Sequence, residues 1–208
     1  MEQPKDKKQP AIIFDLGGVL IDWNPRHLFK PIFDGQDEEL DYFLSVVCPQ
    51  SWNAEQDRGR SFKVAVEERC QLYPDYTPYI QAYHLRWGEM VKGPIEETVE
   101  ILHRLKEQDH ALFALSNWSA ETFSLVHERF DFFTCFDDMV ISGDVKMIKP
   151  DPEIFQLLLK RIDRKADACL FIDDSAENIE TAEQLGFETF HFTGAKDLLA
   201  DLLRRGIL

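Results

Sequence analysis

In the stretch AIIFDLGGVLIDWNP, residues 11–25, four apolar residues lead into Asp15, with Gly17 and Gly18 close behind. Far along the chain ACLFIDD, residues 168–174, ends the same way in the adjacent acids Asp173 and Asp174. Carboxylates brought together repel one another unless a hard cation lies between them, and all-oxygen donors suit Mg²⁺. Two further places supply the complementary charge. Ser116-Asn117 closes the apolar run ALFALS and precedes the helical pattern SAETFSLVHERF. Backbone N–H groups and the helix dipole favour a phosphate at such a place. Lys149 stands just before the helix start Pro150-Asp151-Pro152 and offers a point positive charge.

These residues need a scaffold that brings strand ends together. Short apolar runs recur at AIIFD (11–15), ALFALS (111–116), DMVIS (138–142), ACLFID (168–173) and ETFHF (188–192). Between them lie amphipathic patterns such as Ile95, Val99, Leu102 and Leu105, or Ile154, Leu158 and Ile162. Strands apolar throughout and separated by helices predict a doubly wound α/β fold, a parallel sheet covered on both faces. In such sheets chemistry collects at the carboxyl ends of the strands, where Asp15, Ser116 and Asp173 fall.

A second texture fills residues 23–94, where helical patterns follow one another in PRHLFKPIF, EELDYFLSVV, SFKVAVEERCQLY and YIQAYHLRWGEMV. That is too long for a loop, and predicts an all-helical cap with its own small core, hinged near Asp22 and Gly93-Pro94. The expected organisation is a core of residues 9–22 and 95–208, a cap of 23–94, and a disordered tail of 1–8.

Composition narrows the function. The chain has a formal net charge of -15, and its one basic cluster is Lys5, Lys7 and Lys8. That balance argues against nucleic acid and anionic membranes as partners. The start MEQPKDKKQP has no apolar leader run, and Cys48, Cys70, Cys135 and Cys169 show no metal-like spacing. A cytoplasmic protein with reduced thiols is expected, working as a monomer or homodimer.

Taken together, FDLGGVL, LSN, the lysine of IKPDPEIF and FIDDSAENI resemble, in order, the four motifs of the haloacid dehalogenase superfamily of phosphohydrolases. A helical cap between the first and second motifs resembles the family's first subclass. DLGGVL, DRG and KPDPEIF together look most like the branch that holds α-D-glucose-1-phosphate phosphatase. The resemblance implies that Asp15 is the nucleophile, forming an aspartyl-phosphate. It implies that Asp15, Asp174 and the carbonyl of Gly17 hold Mg²⁺, with Asp173 acting through a water. Ser116, the amide of Asn117 and Lys149 would bind and neutralise the transferring phosphoryl group. Gly18 would ease the turn behind the nucleophile, and Asn178 would hydrogen-bond behind the metal ligands. The implied activity is Mg²⁺-dependent hydrolysis of small phosphate monoesters, such as hexose 1-phosphates.

Gly17 departs from the common pattern, in which a second Asp two residues after the nucleophile serves as acid and base. Such assistance is typically worth about 10²–10⁴-fold in rate. Three readings stay open: substrates with good leaving groups, an acid borrowed from Asp22, Glu55 or Asp57, or a catalytically weak phosphate-binding protein. A metal-independent dehalogenase is a further alternative, against which the Asp173-Asp174 pair weighs. Among the remaining residues, Trp52, Tyr73, Tyr76, Tyr79, Tyr83 and Trp87 are expected in the cap core rather than stacked on a substrate. Arg58, Arg60, Glu121 and Glu128 are expected on solvated faces.

Overall fold

The computed structural model describes residues 9–208, so the lysine cluster and the tail of 1–8 lie outside the described residues. Five parallel strands form one sheet in the order β5-β4-β1-β6-β7. They are β1 (Ala11–Phe14), β4 (Leu112–Ser116), β5 (Asp138–Ile141), β6 (Cys169–Asp173) and β7 (Glu188–His191). β1, β4 and β6 are buried along their whole length, which is why their sequences are apolar without alternation. Side chains nevertheless point alternately to two cores. Ile12, Phe14, Leu112, Ala114, Leu170 and Ile172 face one side, and Ile13, Phe113, Leu115 and Phe171 the other.

Helices cover both faces, as the sequence predicts. On the first face lie α6 (Glu96–Glu107) and α11 (Ala195–Arg204), contributing Val99, Leu102, Leu105, Leu198 and Leu202. On the second lie α9 (Pro152–Ile162) and α10 (Ala176–Gln184), contributing Ile154, Phe155, Leu158, Ile179 and Ala182. α7 (Ala120–His127) and the single turn α8 (Ser142–Val145) flank β5. Phe14 of β1 pairs with Ala114 of β4 on one side and Ile172 of β6 on the other. The chain therefore winds away from β1 in both directions, and a crevice opens beyond its carboxyl end.

The insertion contains α1 (Pro25–Phe33), α2 (Asp37–Tyr42), α3 (Gln50–Asp57), α4 (Phe62–Leu72) and α5 (Thr77–Leu85). Asn24 begins α1 by accepting the Arg26 N–H at 2.9 Å, and Pro25 occupies its first turn. Two features differ from the sequence expectation. The ends of the insertion are not loops: β2 (Ile21–Trp23) and β3 (Val91–Pro94) pair antiparallel, with Asp22 opposite Gly93. Nor is the core of the insertion separate. Phe29, Phe33, Phe43, Trp52, Phe62 and Tyr83 join one continuous buried cluster with Phe14, Val99 and Leu102 of the sheet side. Tyr79 stacks on Phe33 at 4.7 Å, and Tyr76 on Phe43 at 6.1 Å, consistent with packing roles for these rings. No helix among the described residues is long and apolar enough to cross a membrane.

Candidate active site

Asp15 follows β1 directly. Its N–H donates to the Ile172 carbonyl at 2.8 Å, extending the parallel ladder one step, and its Oδ1 accepts the Leu16 N–H at 2.7 Å. Asp173 ends the neighbouring β6 and is fully buried. Asp174 comes next and is exposed. The strand pairing thus brings together acids more than 150 residues apart, and one oxygen from each of the three lies within 4.8 Å of the others.

Lys149 is drawn into this acidic crevice from the loop before α9. Its Nζ lies 2.6 Å from Asp173 Oδ2 and 3.1 Å from Asp15 Oδ1, and donates to the Leu115 carbonyl at 2.7 Å. Burial acts against the charge on this amine, but Asp15 and Asp173 outweigh it and hold its pKa above the ordinary lysine value. Burial pushes the Asp15 carboxyl upward, Lys149 pulls it down, and Asp173 adds to the rise. Asp174, though partly exposed, is raised by desolvation of its carboxyl and then by Asp173. Three carboxyls thus share one lysine, a deficit of positive charge that a divalent cation would relieve.

Asp173 is the most heavily engaged of the three. Besides Lys149 it accepts the Ser175 N–H at 2.8 Å and the Asn178 amide at 3.0 and 3.1 Å to its two oxygens. Asn178 therefore stands behind the acids as the sequence suggests, fixing one of them. Ser116 is buried at the end of β4, and its side chain beside Asp15 favours the ionised carboxylate. The Asn117 side chain is bound in a reciprocal pair, its amide donating to the Lys149 carbonyl at 2.9 Å and its oxygen accepting the Lys149 N–H at 2.8 Å. That pair ties the turn after β4 to the lysine loop.

The two glycines behind Asp15 differ. Gly18 has φ +74, and a Cβ there would lie 2.2 Å from Asp174 Oδ2, so the close approach of Asp174 requires glycine. A Cβ on Gly17 would meet nothing within 4 Å. Both glycines border a cavity of roughly 500 Å³ that Asp15, Ser116, Asn117, Lys149 and Asp174 also line.

Trp23 and Trp118, which the sequence reading did not single out, complete this cavity together with Trp87 and Asp57, which it did. Trp23, Trp87 and Trp118 form part of its wall, with Trp23 stacked on Trp87 at 6.2 Å and Trp87 lying 5.4 Å from Trp118. The position of Trp118 directly after Ser116-Asn117 was the available signal for it. Trp87 is thus both buried and at the cavity edge. Asp57, from the last turn of α3, is buried and lines the cavity too. Glu121 is not merely solvated: it accepts the Phe62 N–H at 3.1 Å and approaches His84 at 3.8 Å, fastening α4 and α5 to α7. Arg58 is exposed but pairs with Asp151 at 2.7 Å, and Arg60 pairs with Glu68.

Comparison with known proteins agrees with this geometry. A sesquiterpene phosphatase of Aspergillus oryzae is 29% identical over 200 residues, covering 88% of this chain and 89% of its own. The pyrophosphatase PpaX of Halalkalibacterium halodurans is 25% identical, covering 86% and 81%. Among solved structures, a haloacid dehalogenase family enzyme of Bacteroides thetaiotaomicron, crystallised with magnesium, superposes with a TM-score of 0.72 at 19% identity, covering 94% and 98%. A related hydrolase of Porphyromonas gingivalis gives 0.69 at 25% identity, covering 94% and 98%. The family profile of haloacid dehalogenase-like hydrolases matches residues 10–186, which include Asp15, Ser116, Lys149 and Asp173-Asp174. With phosphatases among its relatives and these motifs in one crevice, the chain belongs to the haloacid dehalogenase-like hydrolase family and acts on phosphate esters.

Proposed function

We propose that this enzyme is a Mg²⁺-dependent phosphomonoesterase of the cytoplasm that works through an aspartyl-phosphate on Asp15, with residues 23–94 acting as its cap. The observation that carries the reading is the meeting of Asp15, Asp174 and Lys149 at one cavity, with Asp173 buried against Lys149 and within reach of both other acids. Asp15, Asp174 and the Gly17 carbonyl would hold the ion, with Asp173 engaged through a water. The ion would neutralise charge on the phosphoryl group. The free thiols of all four cysteines fit a reducing compartment.

The chain's own residues account for the rest. Lys149 favours the ionised form of Asp15 and aims it, so that its carboxylate attacks phosphorus in line while the ester P–O bond breaks. Ser116 and the Asn117 amide bind phosphoryl oxygens at the end of β4. Water then attacks the aspartyl-phosphate, phosphate departs and the Asp15 carboxylate returns.

The lining supports an uncharged leaving group. Among the described residues Lys149 is the one cation of this lining, already committed to two acids, while Asp174 and Glu177 add negative charge. A second phosphate would meet repulsion there, whereas a sugar ring or an apolar skeleton would rest on the tryptophan wall. Of the two relatives named above, the sesquiterpene phosphatase, rather than the pyrophosphatase, is the kind this lining favours. Hexose 1-phosphates satisfy the same requirement. Phosphate release from hexose 1-phosphates, hexose 6-phosphates, a prenyl monophosphate and pyrophosphate, with and without Mg²⁺, tests the reading. Turnover of uncharged-leaving-group esters only with Mg²⁺ is expected, and preference for pyrophosphate would overturn the substrate class.

A further inference from the structure

Gly17 offers no proton to the departing oxygen, and Asp22, Glu55 and Asp57 are the acids close enough in sequence to the cap entrance to replace it. The structure separates them. Asp22 has a 41% exposed side chain paired with His27 at 2.8 Å, and Glu55 is exposed; neither lines the cavity. Asp57 is buried and lines the cavity that holds Asp15.

The Asp57 carboxyl is also fixed. Its Oδ1 accepts the Ser119 N–H at 3.0 Å, and its Oδ2 accepts the Asn53 amide at 2.9 Å. Asn53 is itself oriented by the Tyr83 hydroxyl at 3.3 Å, and the Asp57 carbonyl accepts the Ser142 hydroxyl at 2.6 Å. Ser119 caps α7 two residues after Asn117, so the carboxyl stands beside the turn assigned to the phosphoryl group. Each oxygen accepts one N–H and keeps a second lone pair, leaving a place for a proton.

We propose that Asp57 is the acid that residue 17 lacks, a deepening that rests on the phosphatase reading above. Asp57 gives its proton to the leaving-group oxygen as the ester P–O bond breaks and Asp15 is phosphorylated. The resulting carboxylate takes a proton from the water that attacks phosphorus. The bond to Asp15 then breaks, phosphate leaves, and both carboxyls return to their starting states. Burial, partly offset by the Ser119 and Asn53 hydrogen bonds, pushes this carboxyl up to about 7, so both forms are populated near neutrality. The titratable groups facing it are Asp15 across the cavity and Tyr83 behind Asn53.

The test is kcat/KM over a graded series from p-nitrophenyl phosphate to a primary alkyl phosphate, in wild type, Asp57→Asn, Asp57→Asn with Gly17→Asp, and Asp15→Asn. Wild type should depend weakly on leaving-group pKa, a result that needs no variant to fold. Asp57→Asn should lose about 10²-fold or more on the alkyl ester and less than about 10-fold on the aryl ester, with Gly17→Asp restoring part of the alkyl rate. A steep wild-type dependence, or an equal loss on every ester, would overturn the role of Asp57. Retained turnover in Asp15→Asn would instead overturn the phosphatase mechanism itself.

Discussion

The Nζ of Lys149 lies 3.1 Å from Oδ1 of Asp15, with the lysine side chain wholly out of contact with solvent. A charge so placed is tolerable only because Asp15 and Asp173 surround it, and the dependence is mutual. Lys149→Met should leave two buried acids facing each other and cost about 3–5 kcal/mol of stability, as removal of one partner of a buried pair does. The loss should deepen as pH rises, because low pH protonates Asp15, whose carboxyl burial already holds above its ordinary value. Urea unfolding at pH 5 and pH 8 measures it; equal losses at both would remove the electrostatic explanation.

Metal binding has a readout independent of turnover. Ligands that bind only the folded state raise its melting temperature, so Mg²⁺ should raise the Tm of wild type. Asp174→Asn should abolish the rise as well as nearly all phosphate release. Asp15→Asn should remove turnover even where some Tm response survives. An identical Mg²⁺ response in wild type and Asp174→Asn would take Asp174 out of the metal site.

Gly17 and Gly18 should respond oppositely to alanine. At Gly18 the new methyl would collide with Asp174 in a left-handed backbone, so Gly18→Ala should weaken Mg²⁺ binding and cost about 1–3 kcal/mol. At Gly17 the space is open, so Gly17→Ala should change stability by less than about 1 kcal/mol and leave Mg²⁺ binding intact. Thermal melts of the pair with a Mg²⁺ titration decide the matter. A Gly17→Ala loss as large as that at Gly18 would contradict the geometry.

Asp57 makes a stability prediction apart from any catalytic role. Its carboxyl is raised from an unfolded value of 3.8 to about 7, so the folded chain holds this proton where the unfolded chain has released it. Stability therefore falls as pH rises from about 4 to about 7 and is level beyond, with an upper limit of roughly 4 kcal/mol for the whole shift. Asp57→Asn keeps an acceptor for Ser119 but cannot ionise, so its stability relative to wild type should improve between pH 5 and pH 8. Parallel wild-type and variant curves across that window would refute the raised carboxyl.

The strands and the strand-end acids were legible because each signal is local: an unbroken apolar run, then a polar residue at its end. The ribbon of Ile21–Trp23 and Val91–Pro94 was not, since strands of three and four residues carry too little pattern and their pairing spans the whole insertion. Asp57 could be narrowed only to one of three acids, because its burial comes from Ser119 and Ser142, distant in sequence. Glu121 read as solvated for the same reason: its partner, the Phe62 N–H, lies 59 residues away.

The ribbon at the base of the insertion also gives the molecule an optical handle. Two hydrogen-bonded strands bend together far more readily than they slide apart, so any swing of the helices pivots at one neck. Trp23 and Trp87 sit at that neck, while Trp118 belongs to the turn after β4 and would stay with the sheet. Their 5.4 Å contact between Trp87 and Trp118 would part with such a swing, changing the surroundings of both indoles. Intrinsic fluorescence would thus report any such swing without a label, with Trp52, packed against Phe62 and Tyr83 within the helical insertion, as a steady background.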